Sequence, residues 1–221
     1  MNYRAVIFDF DGTLADSLGA WKTIWEGLGI RFGRGSGFRP TVREEMTIRT
    51  MLLKDAMDYV NGIYSLSGDP GEVLDAANGI IADFYTNRVE QKNGALQCLR
   101  ALSDRGVPAC VATATELEMV KLGVKRLGFG DYLRFIISCA DVGKGKDDPA
   151  VFFEAAKRLG TAPENTLVVE DSVLALETAK AAGFPVAGVF DFHNLSAQER
   201  IRSLCDVYVG EGEGLEKLIS E

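Results

Sequence analysis

Four short apolar runs rich in β-branched residues punctuate the chain: Ala5–Phe8, Pro108–Ala112, Leu133–Ser138 and Thr166–Val169. Each is bounded by turn or charged residues and followed by apolar positions at helical spacing. Unbroken apolar runs mark strands buried on both faces, and their alternation with helices predicts a parallel sheet with crossover helices. Val186–Phe190 and Asp206–Val209 read as a fifth strand and a short edge strand. Helices are expected at Ala95–Asp104, Glu116–Leu127, Pro149–Leu159 and Ser172–Ala182, where a glycine within two residues supplies the stop. Ser196–Leu204 reads as another, with Ser196 as N-cap and Glu199 three residues on, a capping box.

Between residues 17 and 87 the alternation breaks. The pattern there is helical throughout, for example at Val42–Val60 and Gly71–Tyr85, with glycine-rich joints at Gly33–Gly37 and Ser67–Gly71. An all-helical stretch after the first strand of an α/β sheet predicts a small inserted domain. The expected division is 1–16 with 90–221 for the α/β part and 17–89 for the helical part.

A chain of 221 residues can bury roughly 70% of the surface its unfolded form exposes, so it needs no disulfide or structural metal to fold. The four cysteines, Cys98, Cys110, Cys139 and Cys205, lack metal-site spacing and are expected as free thiols, mostly buried. The net charge of −8 argues against a nucleic-acid or anionic-membrane surface. It also means that an anionic substrate must be drawn in by local positive charge or a metal ion. Residues Met1–Arg4 lead straight into a strand, and no apolar run approaches the ~20 residues of a membrane span. The expected location is cytoplasmic.

Ligands of open parallel sheets bind at the carboxyl ends of the strands. The first strand is followed by Asp9-Phe10-Asp11-Gly12-Thr13, the second by Thr113-Ala114-Thr115 and the fourth by Glu170-Asp171-Ser172. One loop after the third comes Gly143-Lys144-Gly145-Lys146. Two aspartates, a hydroxyl, a lysine and an acidic pair describe phosphoryl chemistry. Carboxylates without His or Cys suit Mg²⁺, a hard cation that takes oxygen ligands. One aspartate attacks phosphorus, and the other protonates the leaving oxygen and later deprotonates water. The single histidine, His193, reads as a surface loop residue, so histidine-phosphatase and zinc-hydrolase schemes lack their ligands. No cysteine has an arginine six residues on, and the glycine-lysine pairs do not complete a P-loop.

Asp9-Phe10-Asp11-Gly12-Thr13-Leu14 resembles the first motif of the haloacid dehalogenase-like hydrolase superfamily, with Thr113, Lys146 and Glu170-Asp171 following as the other three. The spacing is similar to the subgroup with a helical cap between the first and second motifs, which includes phosphoglycolate phosphatase and β-phosphoglucomutase. The resemblance implies an α/β fold, with a Rossmann-like three-layer core around a parallel sheet and a small α-helical cap domain. It implies Asp9 as nucleophile and metal ligand, and Asp11 as general acid/base and ligand through its backbone carbonyl. Thr113 and the Ala114 N–H would hold the phosphoryl group, Lys146 would pair with it and with Asp9, and Asp171 with Glu170 would bind Mg²⁺. The third motif departs from Lys-Pro-x-Pro-Asp, reading Lys146-Asp147-Asp148-Pro149-Ala150. Lys144 and Lys146 are both candidates; Lys146 is preferred because Pro149 suits a first helical turn.

Asp11 favours phosphotransfer, since dehalogenase members lack an acid/base at that place. The expected function is Mg-dependent hydrolysis of a small phosphorylated metabolite through an aspartyl-phosphate intermediate. Two alternatives stand beside it: a β-phosphoglucomutase-like phosphotransferase, and a non-catalytic phospho-acceptor. Such mutases carry a histidine about where Trp21 sits. A cap closing over the site is expected to set specificity, with Trp21, Trp25, Arg43 and Arg49 as candidate contacts. The substrate and the oligomeric state are not legible.

Overall fold

The computed structural model describes residues 3–48, 51 and 53–220. Its elements run β1 (Ala5–Phe8), β2 (Ala15–Asp16), α1 (Ala20–Arg31), α2 (Val42–Ile48), α3 (Leu53–Tyr64), α4 (Pro70–Asn87), β3 (Glu90–Gln91) and α5 (Ala95–Asp104). They continue with β4 (Ala109–Thr113), α6 (Leu117–Leu127), β5 (Leu133–Ser138), α7 (Cys139–Val142), α8 (Ala150–Leu159) and β6 (Thr166–Glu170). Last come α9 (Val173–Ala181), β7 (Val186–Val189), α10 (Gln198–Leu204), β8 (Val207–Val209) and α11 (Lys217–Ser220). The chain divides into two compact units, Met1–Leu18 with Val89–Glu221, and Gly19–Arg88. No helix among the described residues is long and apolar enough to cross a membrane.

The larger unit is an α/β core of the Rossmann-like kind. Six parallel strands lie in the order β5-β4-β1-β6-β7-β8, flanked by helices. The chain runs outward from β1 through β4 to β5, then returns to place β6 on the other side of β1. Every residue of β1, β4 and β6 is buried, the physical reason these runs are apolar without alternation. Ile7, Cys110, Ile137, Val168 and Val186, one from each of five strands, pack with Val151 and Phe152 of α8, Leu176 of α9 and Ile201 of α10. Burying each large side chain in such a cluster stabilises the fold by ~1.5–3 kcal/mol. The cysteines are free thiols, with Cys98, Cys110 and Cys139 buried and Cys205 partly so.

Two expectations are corrected here. Ser196 does not cap α10. Asp191 starts a 3-10 segment, Phe192–Ala197, by accepting the His193 N–H at 2.7 Å, so the chain is already coiled when it reaches Ser196. A helix spanning Val42–Val60 also gives way, to α2 and α3 with Met51 in a bend between them. Thr41 and Glu44 cap α2 reciprocally, the Thr41 N–H reaching Glu44 Oε2 at 2.7 Å and the Glu44 N–H reaching Thr41 Oγ1 at 3.3 Å.

The smaller unit is helical, with α4 packed between α1 and α3. Asp69 caps α4 by accepting the Gly71 N–H at 2.8 Å, with Pro70 at the first turn. Trp25 is fully buried in this unit's own core with Leu28, Met57, Val60 and Ala77, not presented as a contact residue. Trp21 is half-buried and stacks on it at 5.3 Å, whereas Arg43 is exposed. Arg49 lies outside the described residues.

Candidate active site

β1 lies between β4 and β6, with Phe8 opposite Val111 and Val169. This register puts the residues just beyond it, Asp9 onward, beside Thr113 and Glu170. The Asp9 N–H still bonds to the Val169 carbonyl at 2.9 Å, so the strand pairing holds its backbone to the last position. The chain then turns back on itself: the N–H groups of Leu14 and Ala15 both reach the Phe10 carbonyl, at 3.0 and 2.8 Å. Phe10 is fully buried and anchors the turn. Gly12 adopts φ +88°, and a Cβ there would stand 2.6 Å from an Asp171 carboxylate oxygen. Only glycine satisfies both the backbone and the space.

Asp9, Glu170 and Asp171 are buried and present carboxylate oxygens within 4.8 Å of one another. Lys146 binds two of them, pairing through Nζ with Asp9 and, at 2.5 Å, with Glu170. Lys144 is exposed. Burial opposes the Lys146 charge, but the Asp9 and Glu170 carboxylates outweigh it and raise the ammonium's pKa. Burial raises the Asp9 carboxyl well above the usual range; Lys146 pulls against this, while Glu170, Asp171 and Asp11 add to it. Asp171 is pushed up to about 8 by burial first and by Glu170, with Lys146 opposing. Three carboxyl groups crowd round one ammonium, and burial favours protons on Asp9 and Asp171 until a second cation takes their place. An all-oxygen donor set without imidazole or thiolate suits a hard divalent ion such as Mg²⁺.

Asp11 is arranged differently. Ser17 Oγ donates to its Oδ1 at 2.5 Å and Thr115 Oγ1 to its Oδ2 at 2.7 Å, so two hydroxyls fix the plane of the carboxyl. Thr113 is buried, and its Oγ1 accepts the Thr115 N–H at 3.0 Å, which leaves its own proton to donate elsewhere. Ala114 is exposed in the turn between them. Thr13 Oγ1 reaches Asp171 Oδ1 at 3.4 Å, and Asn194 Nδ2 donates to Asp171 Oδ2 at 2.7 Å.

The departure in the third motif also has a local explanation. Asp148 Oδ1 accepts the Ala150 N–H at 2.9 Å, so a carboxylate two residues upstream satisfies the start of α8. Pro149 sits at the N-cap position and α8 begins at Ala150, one residue later than the pattern suggests. His193, exposed, rests on Asp191 at 3.1 Å. Ser17 and Asn194 are absent from the strand-end reading, and Thr115, though quoted there, has no role in it. Thr115 is next but one to Thr113, but Ser17 and Asn194 carry no local signal.

The haloacid dehalogenase-like hydrolase family matches residues 3–183, and the chain belongs to it. The resemblance drawn from the strand-end motifs is thereby borne out. A validoxylamine A 7'-phosphate phosphatase of Streptomyces hygroscopicus subsp. limoneus is 29% identical over 196 residues, covering 88% of this chain and 89% of that protein. The bifunctional riboflavin kinase/FMN phosphatase of Arabidopsis thaliana is 29% identical over 211 residues, 91% of this chain, which spans 54% of that longer protein. A Thermotoga maritima protein provisionally described as a β-phosphoglucomutase superposes with a TM-score of 0.81 over 98% of this chain and 99% of that one. At 21% identity that likeness concerns the fold alone.

Proposed function

We propose that this chain is a Mg²⁺-dependent phosphatase that hydrolyses a small phosphorylated metabolite through a phosphoryl group carried on Asp9. The observation that carries the reading is the buried cluster of Asp9, Glu170 and Asp171 around Lys146, with Asp11 held separately by two hydroxyls. Bound Mg²⁺, held by Asp9, Asp171 and Glu170 and by the Asp11 carbonyl, would supply positive charge that offsets phosphate charge.

Lys146, fixed by Asp9 and Glu170, and the Thr113 hydroxyl, whose oxygen is already used by the Thr115 N–H, orient the phosphoryl oxygens together with the Ala114 N–H. An Asp9 carboxylate oxygen attacks phosphorus, a P–O bond to Asp9 forms, and the ester P–O bond breaks. Protonated Asp11 gives its proton to the departing alkoxide oxygen. Water then attacks the same phosphorus, Asp11 takes its proton, and the bond to Asp9 breaks to release inorganic phosphate. Both roles need Asp11 in one place for two steps, which its grip by Ser17 and Thr115 supports.

The relatives' names include phosphatases for chemically different esters, so the shared chemistry is phosphate-monoester hydrolysis and the organic part is free to vary. Hydrolysis is preferred over a mutase because Trp21, which cannot exchange protons, stands about where the mutases carry histidine. The test is release of phosphate from an aryl phosphate with and without Mg²⁺, followed by a panel of phosphorylated metabolites. Turnover that requires the cation and vanishes in Asp9→Asn is the expected result. Turnover unaffected by Asp9→Asn would overturn the mechanism, and phosphorylation of Asp9 without turnover would identify a phospho-acceptor.

A further inference from the structure

Asp171 is buried, and its carboxylate is held from outside the motifs. Asn194 Nδ2 donates to Oδ2 at 2.7 Å and also lies 3.4 Å from the Asp171 carbonyl oxygen, so one amide group touches both the side chain and the backbone of the same residue. Asn194 is itself placed with care. It takes φ −113° and ψ 27°, outside helical values, in the middle of the 3-10 segment, and its N–H bonds to the Asp191 carbonyl at 3.1 Å.

Asp191, which starts that segment, is 1% exposed and doubly engaged. Its Oδ1 accepts the His193 N–H, and its Oδ2 accepts Lys92 Nζ at 2.7 Å. Lys92 Nζ also donates to the Phe190 carbonyl at 3.0 Å, and the Lys92 N–H bonds to the Leu14 carbonyl at 2.9 Å. An ion pair with its Asp191 side buried, anchored on the first motif's own loop, thus fixes the turn from which Asn194 reaches Asp171. Gln198 closes the segment from its far end, donating to the Asp191 and Asn194 carbonyls at 3.3 and 3.2 Å.

We propose that Asn194 is a positioning residue: its side-chain amide fixes the plane of the Asp171 carboxylate for cation binding, and the Lys92–Asp191 pair fixes Asn194. The inference rests on the reading of Asp171 as a cation ligand. A carboxylate free to rotate must be ordered when the ion binds, whereas one already held by an amide donor is not. Loss of such an outer partner typically weakens metal affinity or activity by about 10–100-fold.

The experiment measures Mg²⁺ binding by calorimetry and by the cation-induced rise in melting temperature, on the full chain with Asn194→Ala, Asn194→Leu and Asp171→Asn. Asn194→Leu keeps the same number of side-chain heavy atoms without a donor, so it guards against a fold lost through a cavity. The expected result is a Mg²⁺ dissociation constant raised about 10-fold or more in both Asn194 variants, with a cation-free melting temperature close to wild type. With an aryl phosphate, the Mg²⁺ concentration for half-maximal rate rises by the same factor, while the rate at saturating Mg²⁺ changes little. A purely structural role would lower the cation-free melting temperature and leave the dissociation constant alone, and that result overturns the proposal. If Asp171→Asn weakens Mg²⁺ binding and the Asn194 variants bind like wild type, the inference fails and the site reading stands. If Asp171→Asn binds Mg²⁺ like wild type, the site reading itself fails.

Discussion

Gly12 lies against Asp171 so closely that a methyl group on its Cα would stand 2.6 Å from a carboxylate oxygen. The two residues belong to the first and last motifs, and the contact makes the loop after β1 a wall of the acidic cluster. Gly12→Ala meets two penalties: a positive φ that costs roughly 1–3 kcal/mol for a residue with a side chain, and displacement of Asp171. The expected outcome is a lower melting temperature together with Mg²⁺ affinity reduced about 10-fold or more. Calorimetric titration of the purified variant checks it, and wild-type affinity would show that Asp171 can move aside.

Lys146 is the ammonium among three carboxylates. Replacing it with Met removes the partner of Asp9 and Glu170, which costs roughly 3–5 kcal/mol where those carboxyls are ionised. The cost shrinks as pH falls, because protonation of the carboxylates neutralises them. Turnover is expected to fall about 10²–10³-fold, the scale for removing a donor aimed at developing charge. Urea denaturation at acidic and neutral pH, with steady-state rates, tests both parts. A variant equally stable at both would argue that the carboxylates are not crowded.

The cation-free protein should lose stability as pH rises. Asp171 titrates at about 8 in the fold, whereas an unperturbed aspartate titrates at about 3.9. Between these values the unfolded chain has released a proton that the folded chain retains, so this group's contribution falls with rising pH. A divalent cation competes for the same oxygens, so its affinity rises over that range and levels above about 8. Melting temperatures with chelator and with Mg²⁺ should therefore diverge from acidic toward alkaline pH. A constant gap between the two curves would contradict the shift.

Asp148 stands in the stretch where the third motif departs from the pattern it resembles, and its Oδ1 accepts the Ala150 N–H that opens α8. Asp148→Ala is expected to cost about 1 kcal/mol, which lowers the melting temperature by about 2–4 °C for a domain of this size. Lys146 should keep its pairing, so kcat and Mg²⁺ dependence stay near wild type. A large fall in kcat would show that the cap also holds the lysine loop.

The strands, the helices that follow them and six strand-end residues, Asp9, Asp11, Thr113, Lys146, Glu170 and Asp171, were legible because each signal is local. An apolar run announces a doubly buried strand, and chemistry-bearing residues sit within a few positions of its end. The same locality misled at Ser196, where a capping pattern lost to Asp191 five residues upstream, and at Val42–Val60, where helical spacing continues through a break.

The chain's own pattern therefore determined the class of fold, the order of the motifs and the acidic, oxygen-rich character of the site. Tertiary structure alone decided that β1 lies between β4 and β6, which brings residues 137 and 158 positions apart into contact, as in the Lys146–Asp9 and Thr13–Asp171 pairs. It also decided that Ser17 and Thr115 hold Asp11, and that Lys92, Asp191 and Asn194 lead to Asp171. Strand order and side-chain partners depend on which surfaces pack together, and hydrophobic periodicity says only that a face is buried, not what buries it.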